Sequence, residues 1–361
     1  MSTLQELFSL LNLEKQPRLI LCDAVALKDA HVPSFEPDIP ALLYNIENDF
    51  LKHLCGILQT TYADEHSLRV VLTNNRVTNM DLGLLAANKQ DAPVSAIFVP
   101  PLPKGTSVTS FQEIVAHLRA PDGCPWDKKQ THQTLRKHLL EEAYEALDAM
   151  DKNDPVAMTE EFGDLLLQIL LNAQIAYENG HFRLSDVVQG IYDKILRRHP
   201  HVFGELQVDG EEEVLQNWEA LKAQEREKNG ENEKGILDGV PLSFPALSQS
   251  QEYQERAARV GFDWPVIDGV LDKLLEEVKE IEHANNAKEL ASEIGDLFFV
   301  LVNFARWKGV DAESALREAN KRFRQRFGYI ETSARERKHP MSEMKLDEME
   351  ELWQEAKKNG L

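Results

Sequence analysis

From residue 110 onward, apolar side chains recur at steps of three and four, and strand-like alternation is rare. That period gathers them onto one stripe of an α-helix, so this part of the chain is expected to be helical. Residues 1–105 are patterned differently. Short β-branched or apolar runs at 18–22, 68–73 and 95–99 read as strands, and the stretch 40–62 between them reads as helical. This mixture predicts a small α/β domain. The run Val99-Pro-Pro-Leu-Pro-Lys-Gly105 is a break, because proline continues neither a helix nor a central strand. A second break, residues 224–245, is charged and holds Gly230, Gly235, Gly239, Pro241 and Pro245. The expected fold is mainly α, with a small α/β N-terminal domain (1–105) followed by two tandem all-α domains (108–223 and 246–361) joined by the linker 224–245.

The helical part repeats itself. LLEEAYEALDAM followed by EEFGDLLLQILL returns as LLEEVKEIEHAN followed by SEIGDLFFVLVN. Glu142 and Glu145 recur at an offset of 135 as Glu277 and Glu280, and Glu161 and Asp164 recur at 132 as Glu293 and Asp296. The difference of three is expected in the connecting turn, where length changes are tolerated. Flanking blocks keep the same order: Gly123-Cys-Pro-Trp126 with Gly261-Phe-Asp-Trp264, Lys194/Arg197 with Lys321/Arg324, and Trp218/Lys222 with Trp353/Lys357. An ordered series of this kind with so long a period indicates domain duplication rather than a solenoid.

Residues three apart share a helix face, so Glu142 with Glu145, and Glu161 with Asp164, point the same way. Asp154-Pro155 between them fits a helix start, with Asp as N-cap and Pro at the first helical position. A hairpin of two such helices would bring all four carboxylates together, and Asn285-Asn286 marks the same turn in the second copy. Like charges this close repel strongly, and a hard divalent cation relieves that repulsion. Magnesium prefers oxygen ligands, and manganese fits as well. ExxE on a helix is usually a solvated face; here the set occurs twice, at the edge of strongly apolar runs. Gly163 and Gly295 inside the helices suggest a close helix approach. Di-iron bundles carry Glu-x-x-His pairs, which these motifs lack.

Charge narrows the choice of ligand. The formal charge is −21 over 361 residues, which repels a phosphate backbone and argues against nucleic-acid binding. A bound cation still admits a small phosphorylated ligand. Lys194 and Arg197 in the first copy, and Lys321 and Arg324 in the second, suit a metal-bridged triphosphate. Trp218 and Trp353, with Lys222 and Lys357 four residues on, are candidates to stack a base and touch phosphate or sugar. Asn303, seven residues after Asp296, aligns with Leu171, so the second copy reads as the more complete nucleotide site. Three scattered cysteines make no disulfide framework. No segment is apolar enough to span a membrane and the N-terminus has no basic leader, so a cytoplasmic protein is expected.

The runs GCPWDKKQTHQTL, LEEAYEALDA, EEFGDLLLQ and RRHPHVFGE, with VGFDW, EEVKEI, EIGDLFF, ANKRFRQRF and LWQEAKK, closely resemble the MazG nucleoside triphosphate pyrophosphohydrolases over about residues 108–361. The resemblance implies an all-α fold and a magnesium site built from ExxE and ExxD. It also implies cleavage of NTP to NMP and pyrophosphate, and a homodimer. The family's ligand pattern falls on Glu142, Glu145, Glu161 and Asp164, and on Glu277, Glu280, Glu293 and Asp296. Glu142 or Glu277 would serve as general base. A narrower pyrophosphatase (dUTPase-like, or acting on phosphoribosyl-ATP) and a regulatory nucleotide-binding protein without turnover are the alternatives. CDAVALKDAHVPSFEPDIPALLY, DEHSLRVVL and SAIFVPPLP resemble the later part of a tetrapyrrole methylase domain. The glycine-rich cofactor loop of such a domain is missing, so no methyltransferase activity is expected.

Overall fold

A computed structural model of the chain describes residues 3–87, 92–210 and 235–361, together with 213, 214, 217, 218, 221 and 225. It falls into two compact units, residues 1–207 and 208–361.

The first unit begins with a five-stranded sheet in the order β1-β2-β5-β3-β4, where β1 is Ile20–Asp23, β2 Ala41–Tyr44, β3 Ser67–Leu72, β4 Val77–Asp81 and β5 Val94–Val99. Only β1 and β2 pair in parallel; the other neighbours are antiparallel. Three expected strands are present within one or two residues. The stretch 40–62 is corrected: it opens with β2, and only Leu51–Gln59 (α2) is helical. Its period misleads because β2 is covered on both faces. Ala41 and Leu43 join the core against α2, while Leu42 lies in the core under α1 (Leu4–Leu11), so Ala-Leu-Leu shows no alternation. Strand β4 was missed because its Val-Thr-Asn-Met-Asp sequence is half-exposed along its length. A short helix α3 (Leu82–Ala86) follows it.

Helix α4 (Val108–Arg119) leads into the first helical domain. Ser107 caps it, its Oγ accepting from Ser110 N at 3.1 Å while donating to Asp38 Oδ2 at 3.0 Å. The Ser110 hydroxyl also donates to Asp38. One carboxylate of the α/β domain thus ties down the start of α4. After the short α5 (Pro125–Lys128) come α6 (His132–Asp151) and α7 (Pro155–Glu178), packed as a hairpin, then α8 (Leu184–Arg198) and α9 (Pro200–Phe203). The Asp154 N-cap is as expected, its side chain accepting from Val156 N and Ala157 N. Val115, Leu135, Leu170, Leu171 and Ile175 form the core where α4, α6 and α7 meet.

The second unit repeats this plan. Helix α10 (Ala246–Arg259) packs on α12 (Ala287–Trp307), which forms a hairpin with α11 (Ile267–His283); α13 (Ala312–Glu336) and α14 (Leu346–Lys358) follow. Asn286 caps α12 as Asp154 caps α7. The three-residue difference between copies is not in the turn. Helix α6 runs six residues past Glu145 and α11 only three past Glu280, whereas residues 152–154 and 284–286 are turns of equal length. The extra residues add most of one helical turn. No helix of the described residues is long and apolar enough to cross a membrane.

Candidate metal centres

Each hairpin gathers the predicted carboxylates at its middle. In the first, single oxygens of Glu142, Glu145 and Glu161 all lie within 4.8 Å of one another. In the second, the same holds for Glu277, Glu293 and Asp296. The fourth member of each set stands close enough to be felt. Asp164 is among the charges that push the Glu142 pKa up, after burial and ahead of Glu145 and Glu161. Glu280 does the same to Glu293, next after burial and ahead of Asp296 and Glu277. The Glu161 carboxyl is also raised, by burial and then by Glu145. Burial comes first in each case and the neighbouring carboxylates add to it: both disfavour the charged form of the acid.

The environment of Glu277 tests whether a cation fits. Its side chain is buried, 3% exposed. Oε1 accepts from Lys273 Nζ at 2.8 Å, but Oε2 is buried with no hydrogen-bond partner. An orphaned carboxylate oxygen beside two further carboxylates is a strong demand for a cation, and an all-oxygen donor set suits a hard divalent ion. Lys273, one turn before Glu277, also reaches Glu276 at 2.9 Å. Sequence reasoning missed it, although the i,i+4 Lys–Glu spacing was legible. His138 occupies the matching place in the first copy and points to Glu141, 3.6 Å away.

The glycine expectation is corrected. A Cβ on Gly163 or Gly295 would meet nothing within 4 Å, because both lie on exposed faces of their helices within the single chain. Asn303 is buried, and its Oδ1 accepts from Arg306 Nε at 3.1 Å and Nη2 at 2.7 Å. Arg306 also donates to Asp263, which accepts from Trp307 Nε1 as well. Asn303 therefore anchors the loop before α11. Its counterpart Leu171 is 2% exposed and belongs to the apolar core of the first copy.

The basic and aromatic candidates are distributed along the later helices. Lys194 and Arg197 lie exposed on α8, and Arg324 on α13; Lys321 lies on α13 with Glu318 at 3.4 Å. Trp353 on α14 is half-buried, flanked by the Phe323 ring at 5.3 Å and the Arg326 guanidinium at 5.5 Å; Lys357 is exposed. Trp218 is half-buried, and Lys222 lies outside the described residues.

Comparison with known proteins agrees with the duplicated hairpin. A family model described as the MazG nucleotide pyrophosphohydrolase domain matches twice, at residues 130–203 and 268–329. The chain is 42% identical over 250 residues to the nucleoside triphosphate pyrophosphohydrolase/pyrophosphatase MazG of Thermotoga maritima, covering 68% of this chain and 95% of that protein. It is 42% identical over 255 residues to the nucleoside triphosphate pyrophosphohydrolase of Escherichia coli K12, covering 69% and 96%. It is 43% identical over 275 residues to the uncharacterized protein YabN of Bacillus subtilis, covering 73% of this chain but only 55% of that longer protein. With both copies of the domain matched and nearly the full length of two relatives covered, the chain belongs to the MazG family of nucleotide pyrophosphohydrolases.

Proposed function

We propose that this protein hydrolyses nucleoside triphosphates to the monophosphate and pyrophosphate, using magnesium held by the ExxE and ExxD carboxylates of the two hairpins. The observation that carries the reading is the buried, unpartnered Oε2 of Glu277, a residue whose carboxylate has an oxygen within 4.8 Å of oxygens of Glu293 and Asp296. Glu142, Glu145, Glu161 and Asp164 would hold a cation in the first copy, and Glu277, Glu280, Glu293 and Asp296 in the second. When bound, the ion supplies charge for the triphosphate and a water of lowered pKa. Glu277, or Glu142 in the first copy, takes the proton as the water oxygen bonds to the α-phosphorus. The bond from that phosphorus to the bridging oxygen breaks and pyrophosphate leaves. Lys321 and Arg324, or Lys194 and Arg197, neutralise its charge. Lys273 holds Glu277 in place through its 2.8 Å ion pair.

A homodimer is part of the same reading. Helix α8 buries none of its residues yet carries Val188, Ile191 and Tyr192 at 50–59% exposure. On α12, Phe298 and Phe299 are exposed one turn after Gly295, whose surroundings are open. Apolar faces of this size normally meet a partner. Cys22, Cys55 and Cys124 are free thiols, in keeping with a reducing, cytoplasmic setting.

Pyrophosphate release from a panel of NTPs and dNTPs, with magnesium and with chelator, tests the activity. Magnesium-dependent release with matching NMP is expected. Nucleotide binding without any release would leave a binding protein instead. Glu293→Ala and Asp296→Ala should each abolish most turnover, and full activity in both variants would remove the second copy from the catalytic role.

A further inference from the structure

The two centres stand on different floors. On α7, Glu161, Asp164 and Gln168 fall within a sector of about 60°, and Gln168 lies about 6 Å up the helix from Asp164. Gln168 is 6% exposed, and its Oε1 is buried with no hydrogen-bond partner. Beyond it the same face becomes the apolar core at Leu171. Along the helix face Gln168 therefore stands between the carboxylate positions and the core, with an acceptor left unused. In the second copy the matching residue, four after Asp296, is Val300, buried and apolar. The facing helices differ too. Lys273 puts an ammonium 2.8 Å from Glu277, whereas His138 turns to Glu141 rather than Glu142.

We propose that the two centres are unequal cation sites, the first binding a bare divalent ion more tightly, with Gln168 accepting a hydrogen bond from a water of the ion's shell. This rests on reading both carboxylate clusters as cation sites. Among the described residues no lysine pairs with the carboxylates of the first centre, and the Gln168 oxygen gains the donor it lacks. Outer-shell hydrogen bonds of this kind orient ligands and waters and support metal affinity. In the second centre Lys273 already neutralises part of the carboxylate charge and repels an incoming ion.

Manganese binding to the full-length protein, followed by the loss of the free-ion paramagnetic resonance signal without nucleotide, tests this directly. Two classes of site are expected. Glu161→Ala with Asp164→Ala should delete the tight class and leave the weak one. Gln168→Val, which installs the side chain of the second copy, should weaken the tight class about tenfold or more. Lys273→Gln should tighten the weak class about tenfold, a gain that misfolding cannot produce. A single class of sites, a tight class that survives loss of Glu161 and Asp164, or a Gln168→Val protein with unchanged affinities would each overturn the proposal. Pyrophosphate release from the unaltered protein is measured separately, so failure of the activity and failure of this inequality are told apart.

Discussion

Replacing Lys273 with methionine isolates the electrostatics of the second centre. The substitution keeps most of the aliphatic stem and removes the ammonium. It leaves Glu277, 3% exposed, with neither carboxylate oxygen paired to a charge. Removing one partner of a fully buried ion pair costs roughly 3–5 kcal/mol. The Lys273 side chain is 35% exposed, so water screens the pair, and a loss of about 2 kcal/mol is the reasoned figure. A divalent cation supplies the missing charge. The ion stabilises the parent as well, so the deficit narrows by the variant's tighter binding alone, about 1.4 kcal/mol for a tenfold difference in Kd. Urea unfolding by tryptophan fluorescence, in chelator and in manganese, measures both quantities. Hydrogen exchange assigns the change to the α11–α12 hairpin. The variant should be destabilised in chelator and closer to the parent protein in manganese. Equal stability of the two proteins in chelator, or the same deficit with and without the ion, would refute the reasoning.

Asp38 gives a pH prediction. The Ser110 hydroxyl first, then the Ser107 hydroxyl and the Gly105 amide, hold its carboxyl below the usual range. A depressed folded pKa stabilises above the ordinary value of about 3.9 and is lost as pH falls through the lower folded value. Asp38→Asn should therefore lose less stability on acidification below about pH 4 than the parent does, and parallel acid profiles would contradict this. At Gly123 a Cβ would stand 2.3 Å from the carbonyl oxygens of His117 and Leu118, so Gly123→Ala must shift backbone. A loss of about 1–3 kcal/mol in chemical unfolding is expected, and an unchanged midpoint would show that the turn gives freely. Leu171→Ala opens the core of the first copy and should cost about 2–5 kcal/mol in the same measurement, whereas near-neutrality would mean that Leu135 and Ile175 close the gap.

The sequence by itself determined the helical class of residues beyond 108, the duplication and which carboxylates share a helix face. Each rests on local periodicity: three- and four-residue steps make helices, and ExxE or ExxD spacing puts acids on one face. The cap at Asp154 and the turn at Asn285-Asn286 were equally legible, because both are chemistry within a few residues. Tertiary structure decided the rest. Strand β2 could not be told from helix because burial on both faces erases alternation. Asn303 read as a candidate nucleotide contact; it accepts from Arg306 within α12, and only the fold carries Arg306 on to Asp263 of the preceding loop. Gln168 looked like an ordinary helix residue, yet packing leaves its oxygen buried and unpaired. The clamp of Asp38 on Ser107 and Ser110 joins residues about seventy positions apart. Periodicity says which face of an element a side chain occupies; only packing says what meets that face, because burial and pairing are properties of two elements together.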